Sequence, residues 1–220
     1  MGEVEIFIDF FSQPSRAVLL MCLEESIPYK VVSIDLLQGG SSSPELKKVS
    51  PMRVVPAIRH GEFSLWESHA ILVYLCSVFP VADNWFPVDI KERAKVNAYL
   101  NWHHLNLRYG CGYFIFKTII KPRFSDEPLA KDQEVELKII QSRALNFLEN
   151  VLKTSQWVAG TKEISIADIS CYCELEQMRL INFEFNNYPL ISAWRVKMAG
   201  RQAVAKAHER FYEFLGVPKL

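Results

Sequence analysis

"VEIFIDFFSQPSRAV", residues 4–18, decides how the rest of the chain is read. Val4, Ile6, Ile8 and Phe10 recur at period two, the mark of a half-buried strand. After Ser12 and Pro14 the period changes. Ala17, Val18, Leu20 and Met21 fall at helical spacing up to about Pro28. A strand thus feeds a helix through a serine and a proline. In α/β sheets such strand ends collect ligands, because they face helix N-termini with unpaired N–H groups. The Ser12 hydroxyl can close the first turn of the helix, or point outward and donate to an anion. Local rules favour the cap and leave both roles open.

Working outward, Tyr29 to Leu36 reads as a second strand, and residues 39–44 as a surface turn. Val54–Ile58 and Glu62–Leu65 flank His60–Gly61 as a hairpin. A helix from Ser68 to Phe79 follows. The order βαβ then ββα predicts a small mixed sheet covered by helices. Val55–Pro56 opens one strand of the hairpin. A proline there is either an ordinary edge residue or a cis bond that turns the preceding N–H and C=O outward, where an extended peptide could pair with them. Glu67 and Ser68 stand at the start of the next helix, either as a routine cap or as a carboxylate and hydroxyl offered to a ligand.

Beyond Pro80 the strand signals stop. Residues 90–117, 131–153, 166–182 and 190–215 carry helical periodicity. In the second of these, Leu137, Ile140, Ala144, Leu148, Val151 and Leu152 mark one face. The expected organisation is an α/β domain at 1–80, a linker at 81–90 and an all-helical domain at 91–220. In "EISIADIS" (163–170), Ser165 and Asp168 have capping-box spacing, with Ile164 and Ile169 at the staple positions. This signal is structural in kind.

Lys plus Arg and Asp plus Glu are both 25, and 50% of the 220 residues are hydrophobic. That balance argues against bulk attraction to nucleic acid or to an anionic membrane. The five cysteines form no CxxC pair and no Cys/His cluster of zinc spacing, so free thiols in a reducing compartment and no metal site are expected. No signal peptide is visible, and no apolar run approaches the roughly 18 residues of a membrane span. A cytoplasmic location is expected. The C-terminal Pro218-Lys219-Leu220 comes close to a peroxisomal Ser-Lys-Leu address, which is the alternative.

"SQPSRAV" (12–18), "VVPAI" (54–58), "ESHAILVYL" (67–75), "ADNWFPVD" (82–89), "ERAKVNAYLNWHHLNLR" (92–108) and "SIADIS" (165–170) occur in one order along the chain. Together they resemble the glutathione transferases, theta class, most closely the plant members. The resemblance implies a thioredoxin-like N-terminal domain that binds glutathione as co-substrate, with no prosthetic group. It also implies a helical domain that completes a hydrophobic substrate pocket, and a homodimer. Ser12 would donate a hydrogen bond to the glutathione sulfur, favouring the thiolate. Val55, before a cis Pro56, would pair with the cysteinyl backbone. Glu67 and Ser68 would hold the γ-glutamyl end, with Gln13 nearby, and Arg108 would face the reaction from the first long helix.

The implied activity is attack on hydrophobic electrophiles and reduction of organic hydroperoxides. Thiol transfer or dehydroascorbate reduction would need a cysteine at position 12. The chain also departs from the family pattern. Met52-Arg53-Val54 stands where a lysine usually precedes the Val-Pro step, leaving Arg53 as the neighbouring cation, and Ser41 occupies a loop position that is often more polar or basic. Weak glutathione affinity follows as an expectation, and a C-terminus shorter than in many plant relatives implies a more open electrophile pocket. The alternative is a non-catalytic binding or scaffolding protein with the same fold.

Overall fold

The computed structural model describes residues 2–216; the C-terminal Pro-Lys-Leu lies outside the described residues. The chain forms two compact units. One contains residues up to Phe86 together with those from Ala199 onward, and the other is Pro87–Met198.

In the first unit the strands β1 (Val4–Ile8), β2 (Tyr29–Ser33), β3 (Ala57–His60) and β4 (Phe63–Trp66) form one sheet in the order β2-β1-β3-β4. β1 and β2 are parallel, and β3 is antiparallel to both β1 and β4. Helix α1 (Gln13–Glu24) joins the parallel pair. The short α2 (Pro44–Val49) precedes the hairpin, and α3 (Ser68–Val78) follows it. The alternation of β1 is used on both faces. Phe7 packs with Ile34, Leu46, Val49, Val55 and Ala57, whereas Ile6 and Ile8 point to the opposite face and are also fully buried. Each such side chain contributes about 1.5–3 kcal/mol by leaving water.

The architecture is the expected thioredoxin-like one, with local differences: β2 ends at Ser33 and not at Leu36, and β3 begins at Ala57 and not at Val54. β1 stops at Ile8 and not at Phe10, because the Asp9 carboxylate accepts from the Phe11 N–H at 2.7 Å and turns the chain. The stretch read only as a surface turn leads directly into α2. There Ser43 accepts from Leu46 N, Pro44 occupies the first turn, and Glu45 and Lys47–Lys48 sit at the ends the helix dipole favours.

In the second unit α4 (Ile90–His103) runs into a π-helical stretch, His104–Tyr113. A second π-helical stretch, Phe116–Ile120, follows, and then α5 (Lys131–Leu152), α6 (Ile166–Glu176) and α7 (Pro189–Ala199). On α5 the buried positions are Leu137, Gln141, Ala144, Leu145 and Leu148. Gln141 is buried because its Nε2 donates to the Gly110 carbonyl at 3.1 Å. A Cβ on Gly110 would lie 2.5 Å from Gln141 N. Gly110→Ala is therefore expected to destabilise the protein by about 3 kcal/mol through forced separation of two backbones, measurable as a lowered midpoint of thermal unfolding.

The last two helices, α8 (Gln202–Ala207) and α9 (Glu209–Leu215), group with the sheet unit, although the sequence reading assigned them to the helical domain. Arg201 makes a bidentate pair with Glu24 of α1, at 2.6 Å twice. The guanidinium of the fully buried Arg16 lies 4.1 Å from the centre of the Phe211 ring. Phe214 meets Phe11 edge to face at 4.8 Å. These polar and aromatic contacts are long-range, and helical periodicity at 190–215 carries no record of them. No helix among the described residues is long and apolar enough to cross a membrane.

Candidate active site

Strand register brings the sequence-remote candidates of the first unit together. Phe7 pairs with Ala57, and Ala57 with Trp66. One step beyond that row lie Pro56 and Glu67, beside the end of β1 where the chain turns toward Ser12. The Val55–Pro56 bond is cis, and Val55 sits outside the ladder, which begins at Ala57.

Ser12 occupies the N-cap position of α1, with φ −80° and ψ 117°, yet its hydroxyl makes no capping bond. Its backbone is fully used: the N–H donates to Asp9 O and the carbonyl accepts from Arg16 N, both at 3.0 Å. The backbone is thus held while the hydroxyl is left over. This removes the cap as an explanation for a serine here.

Glu67 and Ser68 start α3. Glu67 is the N-cap with φ +72°, also without a side-chain cap bond, and its side chain is exposed. A non-glycine residue in that region costs about 1–3 kcal/mol and persists where surroundings impose it. Arg53 (φ +55°) shares the feature just before the cis bond. The buried Ser50 fixes this segment, its carbonyl accepting from Arg53 N and its hydroxyl from Val54 N. Arg53 and Val54 are exposed, Gln13 is half-buried, and Ser41 is exposed on the 3-10 turn Gly40–Ser42. Arg108 belongs to the second unit, where its Nε donates to Glu174 at 2.7 Å. It is a paired residue and not a solvated helix arginine. Among the described residues no group of His, Cys, Asp and Glu could hold a metal.

"Glutathione S-transferase, N-terminal domain" matches residues 7–83, and "Glutathione S-transferase, C-terminal domain" matches 111–202. Glutathione S-transferase T1 of Arabidopsis thaliana is 39% identical over 185 residues, covering 83% of this chain and 75% of the relative. Glutathione S-transferase theta-2 of Rattus norvegicus is 33% identical over 223 residues, covering 97% and 88%. The chain belongs to the glutathione S-transferases, theta class.

The solved structure of human glutathione transferase theta-2, in complex with glutathione and an unknown ligand, superimposes on this theta-class chain with a TM-score of 0.88. It shares 29% identity, over 98% of this chain and 93% of that one. Two other Arabidopsis transferases, T2 and T3, are longer, and the chain spans 31% of each.

Two groups in this theta-class chain were not found by sequence reasoning. Asp9 is buried, its second carboxylate oxygen accepts from Leu36 N at 3.0 Å, and its N–H donates to the Ser15 hydroxyl at 3.4 Å. It thereby holds the Ser12 turn and the loop leading to Ser41 at the same sheet end. An acidic residue closing an alternating apolar strand was the available signal. Glu174 lies in α6, all eleven residues of which are buried, so no polar face marked it out.

Proposed function

We propose that the chain is a serine-type glutathione transferase that activates the glutathione thiol for attack on hydrophobic electrophiles and for reduction of organic hydroperoxides. The observation that carries this reading is Ser12, whose hydroxyl has no capping bond at a sheet end shared with the cis Val55–Pro56 step and with Glu67–Ser68. A free thiol with a pKa of about 8.5 is only a few per cent thiolate at pH 7. A hydroxyl donating to the sulfur stabilises the anion and raises that fraction. Ser12 is then a donor and not a nucleophile.

In conjugation, the thiolate forms a C–S bond while the leaving group departs with its electron pair. In peroxide reduction, it takes the terminal oxygen of the hydroperoxide, releasing an alcohol. A second glutathione condenses with the resulting sulfenic acid to give the disulfide and water. Val55 would pair with the cysteinyl backbone, Glu67 and Ser68 would bind the γ-glutamyl end beside Gln13, and Arg53 and Ser41 would meet the glycyl end. Arg108 would offer donors to the electrophile. Two copies are proposed to form the working homodimer, in keeping with the family.

Steady-state rates with cumene hydroperoxide and a chloronitrobenzene, alongside calorimetric binding of glutathione, test the reading. Turnover of either substrate supports the enzyme; glutathione binding with turnover of neither leaves the scaffolding alternative, whose ground is the lack of a lysine in Met52-Arg53-Val54. Within the enzyme reading, Glu67→Gln is expected to raise the glutathione Kd about tenfold or more, because one charge-assisted hydrogen bond to the ammonium is weakened.

A further inference from the structure

The second unit buries a carboxylate for which the fold alone gives little reason. The Glu174 side chain is 0% exposed. Three groups from the α4 side converge on it in series. Arg108 Nε donates to Glu174 Oε2 at 2.7 Å, and His103 Nε2 lies 3.3 Å from the same oxygen. The Tyr99 hydroxyl lies 3.3 Å from His103 Nδ1. Burial pushes the Tyr99 hydroxyl far up and holds His103 below the usual imidazole range. With Glu174 ionised, His103 Nε2–H donates to it and Nδ1 is left as the acceptor facing the Tyr99 hydroxyl, which also meets the buried Cys171 thiol. Arg108 is then the cation that balances the carboxylate. Removing the cationic partner of a buried carboxylate typically costs about 3–5 kcal/mol, so Arg108 is tethered at this carboxylate.

The tether uses one donor only. Nη1 and Nη2 of Arg108 make no hydrogen bond among the described residues, and its side chain is 30% exposed. A guanidinium held by Nε on a carboxylate that is itself held from behind is anchored at that atom. The two Nη groups remain as donors for a planar or anionic group. The arginine also sits on the π-helical stretch His104–Tyr113, a wider turn often found at functional sites. Gln141 and Gly110 lock the same stretch against α5.

We propose that Glu174, backed by His103 and Tyr99, is a positioning residue that aims the Arg108 fork at the departing anion of the electrophile. This rests on the role given to Arg108 under the proposed function. The fork is most valuable in the transition state, where charge gathers on the leaving group. Its misalignment therefore lowers kcat and leaves glutathione binding alone.

The protein carrying Arg108→Ala, Glu174→Gln, both together, or Arg108→Lys is assayed with glutathione and 4-nitrobenzyl chloride, whose chloride departs with its electron pair as the C–S bond forms. Glu174→Gln is expected to lower kcat by between about tenfold and a hundredfold, with the KM for glutathione unchanged. The double variant is expected to be no slower than Arg108→Ala, since residues acting through one another are not additive. Arg108→Lys, which keeps a cation opposite Glu174 but has no fork, should be as slow as Arg108→Ala and keeps the test open if Glu174→Gln folds poorly. Wild-type kcat in Glu174→Gln, additive losses in the double variant, or a fast Arg108→Lys would each overturn the inference while leaving Arg108 in its role. Wild-type kcat in Arg108→Ala would remove that role and the inference with it.

Discussion

Replacing Ser12 by alanine is expected to lower kcat for conjugation at pH 7 by about tenfold to thirtyfold, and to leave the thermal midpoint within about 2 °C of wild type. The two halves of this result come from one observation. A serine at an N-cap usually stabilises its helix by about 1 kcal/mol, and losing it usually shows as lost stability. Here the hydroxyl makes no cap bond, so that contribution is not present to be lost. The rate carries the effect instead. Without the donor, the pKa of bound glutathione returns toward about 8.5, and the thiolate fraction at neutral pH falls. The deficit is therefore largest below neutrality and shrinks as the pH rises past the thiol's own pKa. A rate profile from pH 6 to 9, with ultraviolet absorbance of the bound thiolate, checks both points. A variant with the wild-type profile would end the thiolate role for Ser12. An inactive variant with a much lower midpoint would return Ser12 to a structural part.

Much of the fold was legible because local and long-range forces agree in these stretches. Val4, Ile6 and Ile8 recur at period two on one buried face of β1, while Phe7 is buried on the other, and the capping box at Ser165 forms as its spacing implies. Val55–Pro56 could be proposed as cis from its setting and is cis in the fold. What stayed hidden depends on partners far along the chain. Nothing in the period of residues 90–117 distinguishes α4 from the π-helical stretch after it. The close approach of Gly110 to Gln141 involves residues 31 apart. The placement of α8 and α9 rests on Arg201 with Glu24 and on Arg16 with Phe211, pairs of charged and aromatic residues that no hydrophobic pattern records. At the candidate site, Ser12, Glu67 and Ser68 were visible as helix starts. That two of those starts leave their side chains unused as caps could be read only from the backbone geometry.

Asp168→Ala is expected to cost about 3–5 kcal/mol of stability at pH 7, and roughly 10 °C of thermal midpoint. The capping box alone would account for about 1 kcal/mol. The larger share comes from three buried N–H groups that the same carboxylate accepts. Ser165 N donates to Oδ2 at 3.0 Å, while Val158 N and Trp194 Nε1 donate to Oδ1 at 3.0 and 3.2 Å. Asp168 thereby holds the start of α6, the segment after α5 and the side of α7 at once. Each donor left without a partner in the interior costs about 1–3 kcal/mol.

Burial also raises the Asp168 carboxyl to about 6, against the lowering pull of those donors. An unfolded aspartate titrates near 3.9. Between these values the folded chain holds a proton that the unfolded chain has released, so this group's contribution to stability falls as the pH rises from about 4 to about 6. Above that window both states are ionised and the contribution is flat. Comparing wild type with Asp168→Ala at several pH values cancels the other titrating groups. The gap between them should therefore be wider at pH 5 than at pH 7, and a gap that widens with rising pH would show that the donors, and not burial, govern this carboxylate.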